Sequence, residues 1–443
     1  MKDSIRSRGR PLAAAAVLSA AALASALLVI PSSGASLRPA RTPGVTAHRI
    51  VLGTTTPLTG PAAPGYDEIA PAANAVFSYI NAHGGVHGRK ITYLIKNDQY
   101  DPTLTVQYTQ QLVENDHIFA DVGGLGTPTQ TSVQSFLNKH HVPQVFVESG
   151  CACWSQPKKF PYTFGWQPNY IVEGKILGAY IKSHFGRKRI GYLYQDDEFG
   201  QDGVKGLNRE IPHRRVVGEQ NYQGTVQGLG AGLGSQVSAL QSAGAQVVAL
   251  YTIPAATALA LLAAAQLNYH PIWVVSSVGA DPPTLAGLLG AFSKGKAGAS
   301  LLNGMITNAY LPPETAGTNP WNRLAKAILK RYDKGFHWDG NSEYGFALGV
   351  TTVEALEQAG RNLTVKSFLN ALETHAKALS NPGLVPLIYS RSDHYGFSGS
   401  EVVKITHDGR AISVLTPREI TTLRGPITVY RGKPDSIPAQ FRK

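Results

Sequence analysis

Between residues 49 and 276 the chain alternates short apolar, β-branched runs with longer stretches whose apolar residues recur at helical spacing. That rhythm predicts a parallel sheet with helices on its faces. Arg49 to Thr55 reads as a strand, and Ile69 to Ala82 as a helix carrying Ala70, Ala73, Val76, Phe77 and Ile80 on one face, stopped by Gly84 and Gly85. Lys90 to Lys96 is the next strand. Asp101 then caps a helix that has Pro102 in its first turn, where a missing N–H is harmless, and that runs to about Asn115. Strand Phe119 to Val122, helix Thr129 to Lys139 and strand Gln144 to Val147 complete a first unit.

A second unit opens after Gln167 and Pro168. It holds helices Tyr170 to Phe185, Gly200 to Glu210, Ser235 to Ala243 and Ala255 to Leu267, and strands Ile190 to Tyr194, Val216 to Tyr222, Val247 to Tyr251 and Ile272 to Ser276. The tail is helical near Pro320 to Tyr332, Tyr344 to Ala359 and Thr364 to Leu379. Strands follow near Leu387 to Ser390, Glu401 to Ile405 and Ala411 to Thr416. This tail is too strand-poor to be a third α/β domain, so it adds helices to the first unit and strands to the second. Two α/β units on short connections imply a cleft between them, where ligands usually bind.

Length and composition agree with this picture. The chain has 443 residues, 43% hydrophobic and 16% charged, enough for two cores and typical of a globular protein. Its N-terminus differs from the rest. Lys2, Arg6, Arg8 and Arg10 form a basic head before an uncharged Ala- and Leu-rich stretch, Leu12 to Ile30, and small residues from Pro31 to Ser36 offer a cleavage point. Residues 1–35 therefore read as an export signal, or as an N-terminal membrane anchor if left uncleaved. No cysteine follows, so a lipid-anchored N-terminus is not available. The protein is expected outside the cytoplasm. Net charge is +12, of which this head contributes +3. The remaining bases are scattered and not interleaved with aromatics, so a solvated basic surface is expected, with no nucleic acid partner.

Cys151 and Cys153 are the two cysteines. Their Cys-Ala-Cys spacing is tight for a disulfide, and His140 and His141 would be the nearest further metal ligands. Free thiols in a loop are the expectation, ahead of a strained disulfide or a metal site; no metal or cofactor is expected.

Several motifs occur in a specific order: Pro57-Leu58-Thr59-Gly60-Pro61, Ile80-Asn81-Ala82-His83-Gly84-Gly85-Val86-His87-Gly88-Arg89-Lys90-Ile91, Asn97-Asp98-Gln99-Tyr100-Asp101-Pro102, Val142-Pro143-Gln144 and Asp196-Asp197-Glu198-Phe199-Gly200. With them the chain resembles the Leu/Ile/Val-binding-protein family, the type I periplasmic solute receptors of branched-chain amino acid ABC importers, from about His48 to Val414. The resemblance implies an α/β fold of two Rossmann-like lobes with parallel sheets joined by a three-segment hinge. Lobe 1 would comprise 46–166 and 311–385, lobe 2 167–310 and 386–430, and 431–443 a C-terminal tail. The crossings fall near Gly165 to Asn169, Thr307 to Leu311 and Val385 to Asp393. A small polar or carboxylate-bearing solute would shift an open–closed equilibrium and be passed to an ABC permease by a monomeric receptor, the alternative being a ligand-sensing regulator or signalling input domain of the same fold.

The family's ligand loops map onto Thr59 and Tyr66 after the first strand, and onto Gly126 and Thr127, which open a helix suited to a carboxylate. They continue at Ser149, Gly150 and Cys151 after the fourth strand, Tyr170 after the first crossing, Phe199, and Thr252 and Ser277 from the second lobe. Trp154 and Trp166 flank this set and are expected to pack rather than to contact solute. Where family members place an acid for the ligand's ammonium, this chain has Ser277 (or Ser276) and Tyr170. Glu148 follows a buried strand and is expected to point away. An amine-free carboxylate or amide solute is the resulting expectation, because an ammonium desolvated without a carboxylate is costly.

Catalytic patterns do not compete. Gly228 to Gly234 contains no G-x-G-x-x-G in any frame and reads as a flexible loop; there is no P-loop and no H-E-x-x-H; Gly396-Phe397-Ser398-Gly399-Ser400 lacks the last glycine of a nucleophile elbow. An enzyme would have to assemble Cys151, Glu148 and a histidine, and none is expected. Asn362-Leu363-Thr364 matches a glycosylation acceptor, but Thr364 reads as the start of a helix.

Overall fold

A computed structural model describes residues 42–442; the export or anchor segment 1–35 lies outside the described residues. The first sheet has five parallel strands in the order β2-β1-β3-β4-β5: β1 (Arg49–Thr56), β2 (Lys90–Asn97), β3 (Ala120–Val122), β4 (Gln144–Val147) and β5 (Thr163–Gly165). Helices α1 (Ile69–Ala82), α2 (Pro102–Gln110) and α3 (Thr127–Lys139) connect them, α2 continuing as a π-helical turn over Gln111–Asn115. Asp101 caps α2 by accepting from the Thr103 N–H at 2.7 Å, with Pro102 in the first turn.

The second sheet is built on β6 (Ile190–Gln195), β7 (Val216–Tyr222), β8 (Val247–Tyr251), β9 (Ile272–Val275) and β10 (Ile306–Ala309). Antiparallel strands β11 (Gly399–Thr406), β12 (Ala411–Val414), β13 (Glu419–Ile420) and β14 (Thr428–Val429) extend it, giving the order β14-β13-β11-β10-β9-β8-β6-β7 with β12 on β11. Helices α4 (Tyr170–His184), α5 (Glu198–Glu210), α6 (Val226–Gly230), α7 (Gly234–Ser242), α8 (Pro254–Gln266) and α9 (Pro282–Phe292) belong to this half. The later helices α10 (Pro320–Tyr332), α11 (Gly340–Ala359) and α12 (Val365–His375) return to the first: α10 and α11 pack on α1, and α12 on α11. Thr364 caps α12 in a reciprocal pair with Ser367, as its position predicts.

Several elements differ from the pattern-based expectation. The glycine-rich stretch expected as a loop contains α6, whose cap is Thr225 accepting from Gly228 N–H at 3.1 Å. Leu387 to Ser390 is no strand; it makes only isolated bridges, Leu387 to Phe397 and Ser390 to Asp393. Helix α9 was legible and not read: Asp281 followed by two prolines is a helix start.

Three segments pass between the sheets, 166–169, 310–319 and 376–398, and they are tied to one another. The Phe397 N–H donates to the Trp166 carbonyl at 3.0 Å, and the Leu384 N–H to that of Tyr310 at 2.8 Å. A Cβ on Gly396 would stand 1.7 Å from the Trp166 oxygen, so only glycine permits this approach. Trp166 is fully buried in the crossing bundle, edge-on to Tyr344 at 4.6 Å and to Phe397 at 5.2 Å, and Trp154 is fully buried too. Both pack, as expected of them.

Candidate functional site

Between the two sheets lies a cleft with about 1060 Å³ of empty space, its open mouth included. Six of the expected residues line it: Tyr66, Gly126, Thr127, Tyr170, Phe199 and Ser277. Each is placed by the end of an element. Gly126, at φ 103°, turns the chain into α3 so that Gly126 and Thr127 put a helix N-terminus at the cleft. Asn169 caps α4 and sets Tyr170, whose ring meets that of Phe199 at 4.7 Å; Asp197 caps α5 and sets Phe199. A relay of hydrogen bonds fixes the phenols: Tyr344 Oη donates to Gln167 Oε1 at 3.2 Å, and Gln167 Nε2 donates to Tyr170 Oη at 3.1 Å.

The other five do not line the cleft. Thr59 is exposed and accepts from Asn97 Nδ2 at 2.8 Å, pinning its loop to the end of β2. Ser149 is buried behind the wall, 2.6 Å from Thr127 Oγ1, and Gly150 accepts the Tyr170 N–H at 2.7 Å. A Cβ on Gly150 would meet the Pro168 carbonyl at 2.3 Å. Thr252 is spent on Thr257, hydroxyl to hydroxyl at 2.6 Å. Cys151 is buried and disulfide-bonded to Cys153, with a Cα separation of 5.1 Å. The expectation of free thiols is therefore corrected: this separation lies within the range disulfides adopt. Ser149, Gly150, Cys151 and Thr252 are thus buried behind the cleft, and Thr59 lies on an exposed loop beside it.

The expected shortage of carboxylates is also overturned. Glu173 lies in the first turn of α4, three residues past Tyr170. It accepts from Ser277 Oγ at 2.7 Å, Ser277 N at 2.9 Å and Ser276 Oγ at 2.9 Å. Burial pushes its carboxyl up and these donors pull it back, so it ties α4 to the end of β9. Glu148 lines the cleft instead of pointing away, and it is joined there by Asp281, Glu314 and Glu343. Glu148 and Glu343 are buried, and both Glu148 oxygens and Glu343 Oε1 lack any hydrogen-bond partner. Burial pushes both carboxyls well above the usual range, aided at Glu148 by Asp121 and at Glu343 by Glu314 and Asp281. Glu314 is raised to about 7 and Asp281 to about 6, burial again leading. Among the described residues no Lys, Arg or His lines the cleft.

Sequence reasoning also missed Tyr100, which comes from a turn, Thr307 and Asn308 from β10, and Tyr310 from the start of the second crossing. Thr307 Oγ1 and Asn308 Nδ2 are buried without partners. Bonds join the lips across the cleft: Tyr66 Oη to the Val278 carbonyl at 3.4 Å, Gln195 Nε2 to Tyr100 Oη at 3.3 Å, and Gly340 N to Asp281 Oδ1 at 2.8 Å. Asn341 Nδ2 reaches Thr284 Oγ1 at 3.0 Å, and Ala152 N reaches Asp202 Oδ2 at 2.8 Å. This is a closed arrangement. Among the described residues no group of His, Cys, Asp and Glu is placed to hold a metal ion, and no helix is long and apolar enough to cross a membrane.

Residues 49–410 match the family described as periplasmic binding protein. The chain belongs to that family. This periplasmic binding protein is similar to an amino acid binding protein of Pseudomonas aeruginosa, 24% identical over 46% of the chain; the match spans 55% of that relative, little more than half its length. It is 23% identical to a Leu/Ile/Val-binding protein homolog of Brucella abortus, over 71% of this chain and 79% of the other. Its fold matches that of a branched-chain amino acid ABC transporter protein from Thermus thermophilus with bound valine, at TM-score 0.70, 18% identity, and coverage of 86% and 98%. Resemblance to the Leu/Ile/Val-binding proteins and the type I two-sheet fold thus stand as the motifs imply. Family and relatives are binding proteins, and this chain is a binding protein rather than an enzyme.

Proposed function

We propose that this chain is the extracytoplasmic receptor of an ABC importer, exported through its N-terminal segment and acting as a monomer that hands its solute to a membrane permease. The solute carries a protonated nitrogen and an apolar or aromatic body. One observation carries this choice: Glu148 is buried at the cleft with both oxygens unpartnered, and the lining contains no base. A buried carboxyl so placed either stays neutral or waits for a cation that arrives with the ligand. Tyr66, Tyr100, Tyr170, Phe199 and Tyr310 surround the remaining volume and suit an apolar body. The helix start at Gly126 and Thr127 suits an anionic or carbonyl end, so an amino acid suits Glu148, the aromatic middle and this helix start together. The names of the Pseudomonas and Brucella relatives point the same way.

The test is a thermal-shift comparison on the full chain of amino acids, simple amines and their amine-free carboxylate or amide analogues. An amine at about a hundredfold over its dissociation constant adds roughly 2.7 kcal/mol, a shift of several degrees. Stabilisation by amine-free acids with none by their amino counterparts overturns the assignment.

A further inference from the structure

The acids of the cleft fall into two groups held by different elements. Glu148 follows β4, and the charge that acts on it is that of Asp121 in β3 behind it. Glu343 lies in the first turn of α11, Glu314 in the second crossing and Asp281 in the loop after β9, and these three act on one another. Tyr310 lines the same cleft as both groups. Glu343 is 3% exposed, and its Oε1 and Glu314 Oε1 have no partner. The other charges facing this second group are Asp339 and Glu68, which add to the repulsion, and Lys326. Lys326 does not line the cleft; its ammonium sits 4.6 Å over the Trp338 ring, and among the described residues it makes no ion pair with these acids. Closing the lips brings Asp281 from the second-sheet side onto the start of α11, through its 2.8 Å bond from Gly340 N. Glu343 and Glu314 thus line the cleft with unpartnered oxygens, and Asp281 lines it too, held by the Gly340 N–H and by the N–H and hydroxyl of Thr284.

We propose that Glu343, with Glu314 and Asp281, forms a second cation subsite, so that the preferred solute carries two protonated nitrogens joined by an apolar chain that passes Tyr310. This rests on the amine reading above, with the first nitrogen at Glu148. Two like charges on one ligand must sit apart, and an aliphatic spacer between them matches a cleft lined by aromatic rings whose carboxylates stand on different elements. Like-charged acids pressed together are relieved by a cation bound among them, and the effect is specific to ligands long enough to reach.

The measurement is titration calorimetry of the full chain near neutral pH with α,ω-diaminoalkanes of increasing length, each against the n-alkylamine of equal length. One charge-assisted hydrogen bond to a buried carboxylate supports about a ten- to hundredfold gain. The expected result is a diamine at least tenfold tighter than its monoamine at one optimal length, with that ratio brought to near unity by Glu343→Gln. The wild-type ratio needs no variant, so a failure of Glu343→Gln to fold leaves the test intact. Equal affinity for diamines and monoamines at every length overturns the second subsite and leaves the amine reading standing. A diamine advantage that survives both Glu343→Gln and Glu314→Gln overturns it as well, because the second nitrogen then lies elsewhere. Binding of amine-free carboxylates with no binding of any amine overturns this proposal together with the reading beneath it.

Discussion

Replacing Glu148 by Gln separates what the carboxylate does for the solute from what it costs the fold. The side chain is 6% exposed, and neither oxygen is hydrogen-bonded. In the empty protein burial and Asp121 hold the group well above its ordinary value, so folding favours the neutral form. A carboxyl raised in this way lends stability that is complete below its unfolded pKa and is lost as pH rises through the folded one. The amide never ionises, so the variant escapes that loss and unfolds later than the wild type on the alkaline side. Binding moves the opposite way. A protonated amine needs the ionised carboxylate, so wild-type affinity climbs with pH by up to about tenfold per unit below the raised pKa, about 1.4 kcal/mol each. The glutamine has no such slope and forfeits a charge-assisted bond of about 1.5–3 kcal/mol, roughly ten- to hundredfold in affinity. Calorimetry with one simple alkylamine from about pH 6 to about pH 9, below the amine's own pKa near 10, reads both quantities. Parallel pH slopes for the two proteins, with affinities within about twofold, would refute the assignment of Glu148 to a cation.

Other buried carboxyls predict a stability that falls with rising pH. Asp121 is moved from 3.8 to about 7, Glu354 to about 7 and Asp98 to about 6, each chiefly by burial. The folded chain therefore binds more protons than the unfolded one across this window, and Asp121 alone accounts for up to about 4 kcal/mol. The urea midpoint should drop between about pH 5 and about pH 8, and a midpoint that rises would contradict the burial of these groups. A double-mutant cycle on Thr127→Ala and Ser149→Ala should give a coupling of about 1 kcal/mol for their buried hydroxyl pair, the Cys151 N–H that also donates to Ser149 Oγ being lost in both arms that remove Ser149 and so cancelling. Gly396→Ala should lower stability by about 1–3 kcal/mol or more, because its methyl group has to displace the Trp166 carbonyl in the crossing bundle; a neutral effect in denaturant titration would argue against that approach. Thiol titration of the unreduced, denatured protein should find none, where free Cys151 and Cys153 would give two.

Periodicity carried most of the fold because each strand and helix signals locally. Asp101-Pro102 and Thr364 declared their helix starts, and the alternation from Arg49 to Ser276 declared both sheets. What it missed was short or built from distant partners. Strand β5 is three residues long, and Leu387 to Ser390 is apolar because it is buried in the crossing bundle, not because it joins a ladder. The site shows the same division. Tyr66, Thr127, Tyr170, Phe199 and Ser277 sit at element ends that a motif can mark. Glu148, Asp281, Glu314 and Glu343 lie far apart in sequence, and nothing local says that they share one cavity. Glu173 was overlooked for a simpler reason: it lies one helical turn past the expected position, and a helix side chain reaches back over the preceding turn.

Convergence of those acids explains how a solute can select the closed state. The lips are joined by hydrogen bonds at 2.8–3.4 Å, each contributing only about 0.5–1.5 kcal/mol net, because the open cleft offers the same groups water. Closure also buries Glu148 and Glu343 without partners, a penalty that an open, hydrated cleft does not suffer. In the empty protein the two effects oppose each other. A ligand shifts such an equilibrium only by its difference in affinity for the two states. Filling the aromatic middle contributes to that difference for any apolar body. A cation contributes more, because it removes the penalty specific to the closed form. A solute of the same shape lacking the charge leaves the acids stranded or protonated, so selection for the amine is exerted at closure rather than at first contact.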